Sequence, residues 1–541
     1  MKKLSQNRGI TLVSLVITIV VLLILAGVTI SLVVGNNGII QKAQEAKQNM
    51  TSAAEEEKDW LGELESEIDA ANEVAMTNGN WNAAKRVNSP KLEGTGLKGI
   101  TIGEDGNITE IGEEQTNWYS YTENDRRWAN AKTADGSMWV WIPRYAYKIT
   151  YDNPNNKSQG GTIDIVFLQN DTNLDKNGND VTQTTYQDEQ GNIGAYIVHP
   201  AFKNGTSNGF ANGEWDDEIP GFWVAKFEAG YAEGNNSVNK VDSGLKYGEN
   251  SATGNFYGTI TANTTAMYYP VFLPKTYSYN YITIGDAYTL SKNLNKEGNP
   301  YGLVSTKTDT HMMKNSEWGA VAYLSHSEYG RNKEEITRNN VNLRGTTSRV
   351  DAVTGMAGES VSAGENKTTI DEVNDGTSGS YSWETANGQK ASTTGNVYGI
   401  YDMSGGAWER TAGYINNGHA NLMNYGNNLV NEGGAGTSTK YKSVYAYNTG
   451  NDESVDNYNQ SPNPSRVGET IWEISTNGTG ATGWNKDYST FASTDCPFFV
   501  RGGGNMSDTV ATGTNYFGRE RWRCQQWRCV PYCACGTVAF E

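Results

Sequence analysis

The stretch Gly399-Ile400-Tyr401-Asp402-Met403-Ser404-Gly405-Gly406-Ala407-Trp408-Glu409-Arg410 decides how the chain is read. Two adjacent glycines stand between an apolar and an aromatic segment, and glycine admits backbone conformations closed to other residues. The plain reading is a turn entering a strand with Trp408 buried. A second glycine-marked strand follows at Phe498-Phe499-Val500-Arg501-Gly502-Gly503. Upstream, Met312 to Ser325 places Trp318, Val321, Ala322 and Leu324 on one face; this predicts an amphipathic helix capped by Asn315 or Ser316, with Glu317 in its first turn.

Further out, Met138 to Tyr145, Gly221 to Glu228 and Ala266 to Phe272 are short aromatic and β-branched runs bounded by turn residues, and they read as strands. Gly, Asn and Thr dominate 152–190, 230–265 and 351–395, which read as long surface loops because they offer little apolar area against the entropy of ordering. With 31 Tyr, 15 Trp and 61 Gly in 541 residues, the composition favours short strands and tight turns over a helical bundle. The net charge of -18 repels phosphate backbones, which sets nucleic acid aside as a partner.

In order and approximate spacing these motifs resemble the formylglycine-generating enzyme or sulfatase-modifying-factor family. Gly399 to Arg410 is similar to its "GLYDM-x-GNVWEW", Phe498 to Gly503 to the segment leading into its "RGGSW", and Met313 to Trp318 to its "LPTEAEWE" helix. The resemblance implies an α+β, C-type-lectin-like fold over 129–541, with two short sheets, flanking helices, and first and last strands brought together. It extends to the variable proteins of diversity-generating retroelements, which use this fold and diversify its end. The tail 501–541 would then carry a protein or glycan ligand on Asn505, Ser507, Asp508, Asn515, Tyr516, Arg519, Arg521, Trp522, Arg523, Trp527, Arg528 and Tyr532. Trp, Tyr and Arg are the residues that binding hot spots favour.

The same family contains copper oxidases that hold the metal between two cysteines. Cys524 and Cys529 have the matching separation, but the terminal "GFR" element is replaced by Val530-Pro531-Tyr532-Cys533. Catalysis is therefore not expected. Calcium is the other cofactor the family uses near "GNVWE"; Glu409 matches one ligand and Gly406 stands at the Asn of the other. All five cysteines lie at or after Cys496, without a zinc-module spacing. His199, His311, His326 and His419 read as structural residues.

At the other end, Lys2, Lys3 and Arg8 precede an uncharged apolar run, 10–34, long enough for a single transmembrane helix with its positive flank in the cytoplasm. The junction Gly9-Ile10-Thr11-Leu12-Val13-Ser14 resembles the leader of type IV prepilins, with Ser14 where that family has glutamate. This implies a leader at 1–9, cleavage by a prepilin peptidase after Gly9 and methylation of Ile10. From Ile39 to Ala71 apolar residues recur at threes and fours, predicting an amphipathic helix or stalk over 35–78. Residues 79–128 read as a connector with some short strands. The expected protein is a single-pass surface protein with an extracellular ligand-binding domain; alternatives are a structural minor pilin packed against other pilin subunits and a copper oxidase.

Overall fold

A computed structural model describes residues 12–34, 42–43, 46–50, 52, 87, 89–111, 118–182, 196–205, 213–230, 270–276, 278–279, 283–339, 352–358, 381–447, 466–475, 483–492 and 495–503. Further strand segments, 512–519, 533–534 and 538–540 among them, are described in part or as backbone alone. The chain divides into two units, Met1–Asn80 and Trp81–Glu541.

In the first unit, α1 (Leu12–Val34) covers 23 residues and has no charged side chain. At 1.5 Å per residue it measures about 34 Å. Among residues described with their side chains, which in α1 end at Val28, no helix is long and apolar enough to cross a membrane. The stalk expected at 35–78 has helical backbone at 42–43, 46–50 and 52 and otherwise lies outside the described residues, as do Gly9 and Ile10.

The second unit is mixed α and β, with several sheets and few helices among its described residues. One seven-stranded sheet has the order β11 (Thr310–Met312), β23 (Val538–Phe540), β8 (Gly221–Ala225), β4 (Met138–Pro143), β3 (Asn130–Lys132), β1 (Lys98–Ile102), β2 (Ile108–Glu110). The end of the chain thus joins the sheet of its earliest strands. The aromatic runs at 138 and 221 form strands as their pattern predicts, and Trp141 pairs with Trp223 in register, the rings 5.3 Å apart and edge to face. Every residue of β4 and β8 is buried, so this seam is covered on both faces.

A second sheet has the order β17 (Ser443–Tyr445), β16 (Trp408–Ile415), β20 (Phe498–Gly503), β21 (Thr512–Arg519), β19 (Ser489–Thr490), β18 (Thr479–Gly480), with β22 (Cys533–Ala534) also on β16. A third joins β6 (Gly161–Phe167), β5 (Tyr145–Tyr151) and β7 (Ile197–Val198). Two-stranded ribbons link β9 (Ala232–Glu233) with β10 (Ser237–Val238), β12 (Asn342–Arg344) with β13 (Val350–Ala352), and β14 (Met356–Ala357) with β15 (Tyr381–Ser382). Three helices complete the unit's described α structure: α2 (Ile284–Ser291), α3 (Asn315–His326) and α4 (Ala420–Asn431).

Several sequence expectations are corrected. β6 lies within a tract read as loop; its alternation, Ile163, Ile165 and Phe167 buried, pairs it with β5 along seven residues. Instead of two short sheets, the described residues form two seven-stranded sheets, a three-stranded one and three two-stranded ribbons. Of the strand expected at 266–272, the described part shows a bridge from Val271 to Gly230. The helix read from Met312 starts at Asn315, because Thr310–Met312 extends as β11. Its N-cap is Lys314, whose backbone N–H donates to Glu317 Oε2 at 2.7 Å. Nor is α3 amphipathic in place: all twelve residues are buried.

Candidate ligand-binding surface

The corner formed by Gly399 to Arg410 depends on left-handed backbone at three positions: φ is 66° at Asp402, 85° at Gly405 and 68° at Gly406. Aspartate tolerates this region better than most side chains. Its carboxylate is also fully engaged. Asp402 Oδ1 accepts from Asn339 Nδ2 at 2.8 Å, both oxygens accept from the Gly355 N–H at 3.0 and 2.9 Å, and Oδ2 accepts from the Glu228 N–H at 3.3 Å. A Cβ on Gly405 would lie 2.2 Å from Asn339 O, and one on Gly406 would lie 2.7 Å from Glu228 Oε2. That close approach leaves no room for a side chain at either glycine.

Glu228 accepts from the Ala407 N–H at 2.8 Å and from Ser278 Oγ. Burial raises its pKa well above the carboxylate range, and the negative charges of Asp402 and Glu409 push it the same way. Burial likewise lifts Asp402 to about 6 against the pull of its hydrogen bonds. Lys226 closes the corner from below: its ammonium donates to Val397 O at 2.5 Å and Gly399 O at 2.8 Å, and burial pulls its pKa well below the usual value.

Strands leave this corner under firm constraint. Gly405 N–H donates to Gly502 O at 3.0 Å, Glu409 pairs with Arg501, Gly503 with Thr512, Phe499 with Arg519, and Trp408 with Cys533. Arg501, wholly buried, donates from Nε to Asn315 Oδ1 at 3.1 Å and from Nη1 to Thr470 O at 3.3 Å, and it also reaches Glu469 O. Asn315 Oδ1 accepts from Thr411 Oγ1 at 2.9 Å as well. Arg501 therefore ties β20 to α3 and is structural, although it opens the tail.

Of the residues expected to contact ligand, Asn515, Tyr516 and Arg519 are placed on β21, as backbone. Asn505, Ser507, Asp508, Arg521, Trp522, Arg523, Trp527, Arg528 and Tyr532, with Cys524 and Cys529, lie outside the described residues. They fall in two segments, 504–511 and 520–532, whose ends are held by β20, β21 and β22. Trp408, expected to be buried, is partly exposed, while Glu409 and Arg410 beside it are buried. Consecutive strand residues point to opposite faces, so burial of both Glu409 and Arg410 means that the sheet is covered on both faces there. Among the described residues no three His, Cys, Asp or Glu side chains gather as metal ligands, and Glu409 is 1% exposed.

Sequence reasoning missed Glu228, Asn339 and Lys226. Lys226 and Glu228 were visible as charges inside an aromatic run, a pattern that marks a buried, partnered ion. No known protein-family model matches this chain, and no curated protein matches its sequence.

Proposed function

We propose that this is a membrane-anchored, pilin-like surface protein whose C-type-lectin-like domain binds a protein ligand through 504–511 and 520–532. One observation supports the reading above others: both segments start and end on strands locked to the Gly399–Arg410 corner, so their residues can change while the sheet that carries them stays. Arg, Trp and Tyr crowd 516–532, the composition of interface hot spots. The anchor rests on α1 at its full 23 residues, since a bilayer core is about 30 Å thick and the backbone helix, not the part ending at Val28, is what would cross it. Lys2, Lys3 and Arg8 place its start in the cytoplasm. The prepilin-like junction adds processing by a prepilin peptidase at Gly9. No catalytic step is assigned.

Sequencing the 3′ end of the gene across many cells, together with the flanking DNA, tests the diversified surface. Substitutions clustered at 504–532, copied from a neighbouring template and sparing Arg501, Gly502 and Gly503, are expected. A uniform tail without a template would overturn diversification. Loss of membrane association on deleting 12–34 is the matching test of the anchor.

A further inference from the structure

Strand β16 ends at Ile415 and α4 begins at Ala420, so Asn416, Asn417, Gly418 and His419 make the whole connection. Its two ends are fixed. Ile415 N–H donates to Pro497 O at 2.9 Å, Asn416 N–H donates to Tyr445 O at 2.9 Å, and His419 Nδ1 caps α4 by accepting from the Asn421 N–H at 3.1 Å. Asn417 Oδ1 accepts from the His419 N–H at 3.0 Å, which folds the side-chain amide back along the Gly418 peptide.

An asparagine followed by glycine can lose its amide without an enzyme. The glycine nitrogen, deprotonated by hydroxide, attacks Cγ; the new N–Cγ bond closes a five-membered imide, and the Cγ–Nδ2 bond breaks to release ammonia, which takes its proton from water. Water then opens the imide at either carbonyl and leaves aspartate or isoaspartate. The fold controls the first step through the glycine N–H. A nitrogen whose proton is held on an acceptor must break that bond before it can lose the proton and turn onto Cγ.

Four Asn–Gly pairs lie among the described residues. Gly178 N–H donates to Asp175 O at 2.9 Å, Gly205 N–H to Trp215 O at 3.1 Å, and Gly388 N–H to Thr385 Oγ1 at 3.0 Å. Gly388 is also buried against Ser382 O, which a Cβ would overlap. Gly418 differs from all three. It is exposed at a φ of 69°, a Cβ there would meet nothing within 4 Å, and its N–H donates no hydrogen bond within the protein. The hydrogen bond from His419 also draws electron density from Asn417 Cγ and would stabilise the oxyanion that forms there during attack.

We propose that Asn417 is a modification site of the folded protein, deamidating spontaneously ahead of Asn177, Asn204 and Asn387. The products change the lead into α4. Aspartate keeps the bond from His419 and sets a negative charge just before the helix N-terminus, where the dipole favours it. Isoaspartate routes the backbone through the former side chain and lengthens the connection by one carbon. Either product adds one negative charge to a chain already at -18.

The test ages the full chain in detergent micelles at neutral and mildly alkaline pH and follows the four pairs by peptide mapping. Mass spectrometry reads the exchange of the amide for a carboxyl, and isoaspartyl methyltransferase labelling reads the isomer. Asn417 should convert about fivefold faster than each of the other three, the factor that breaking one ordinary hydrogen bond imposes on them, and faster at the higher pH. Gly418→Ala should slow it severalfold, because a methyl crowds the attacking nitrogen. Asn417→Gln, which cannot close a five-membered ring, should remove the matching acidic species on isoelectric focusing. In concentrated urea the four pairs should react at similar rates. An Asn417 no faster than the others in the folded chain overturns the proposal, and so does a lead that persists unchanged in urea, which would belong to local sequence and not to the fold.

Discussion

The β4–β8 seam and the Gly399–Arg410 corner are both buried, yet they are held by different physics. Trp139, Trp141, Phe222 and Trp223 stabilise the seam through apolar area removed from water, a contribution that is large and graded. Asp402, Glu228 and Lys226 stabilise the corner only while every hydrogen bond is made, since an abandoned buried polar group costs its full desolvation. The seam therefore tolerates changes of shape better than the corner tolerates changes of chemistry.

Truncating the seam has the largest expected effect. Trp141→Ala should cost about 3–5 kcal/mol, measured by urea denaturation of the full chain, and Trp141→Phe clearly less. If both cost the same, the seam is not graded and the contrast fails.

At the corner, Asp402→Ala should cost about 3 kcal/mol, because it strips an acceptor from Asn339, Gly355 and Glu228 and forces alanine to a positive φ. Asp402→Asn, which tolerates that φ and keeps one acceptor, should cost less. The pH dependence sharpens the point. Asp402 binds its proton more tightly folded, near 6, than an unfolded aspartate does at about 3.9. Its contribution is full below the unfolded value and falls as pH rises through about 6; the raised pKa of Glu228 acts in the same direction. Buried His199 and His326, whose pKa values burial lowers to about 3 and about 4, act in the opposite direction, so the difference between the wild-type and Asp402→Asn curves from pH 4 to 7 is the readout: it should shrink as pH rises. Parallel curves would break the assignment of a raised pKa to Asp402.

Smaller is Gly406→Ala. Its Cβ would meet Glu228 Oε2 at 2.7 Å, and φ is 68°, so a loss of about 1–2 kcal/mol is expected in the same assay. Smallest, and opposite in sign, is Asn427→Ala on α4, which should stabilise by about 0.5 kcal/mol through helix propensity. Destabilisation there would mean that the exposed hydrogen bond Asn427 accepts from Asn431 outweighs propensity.

Where neighbours along the chain decide structure, the reading came from sequence. Met138 to Ile142 and Gly221 to Ala225 are strands because aromatic and β-branched residues suit a pleated surface, and Glu317 closes the start of α3 from three residues away. The glycine pair at Gly405 and Gly406 was legible as a special turn. Trp408 was misread because local pattern makes an aromatic residue inside and a charged one outside, whereas packing over both faces of β16 buries Glu409 and Arg410.

The sequence by itself determined the strand-forming aromatic runs, the apolar α1, the glycine corner and the acidic, turn-rich character of the chain. Only the tertiary structure decided that β23 lies between β8 and β11, that β6 is a strand, and that α3 is buried on all sides. It alone also brought Glu228 to Asp402 across 174 positions of chain. Short-range pattern fixes backbone preference within a few residues. Burial of charge and the order of strands depend on contacts between distant segments, whose free energy exists only once the whole sheet has closed.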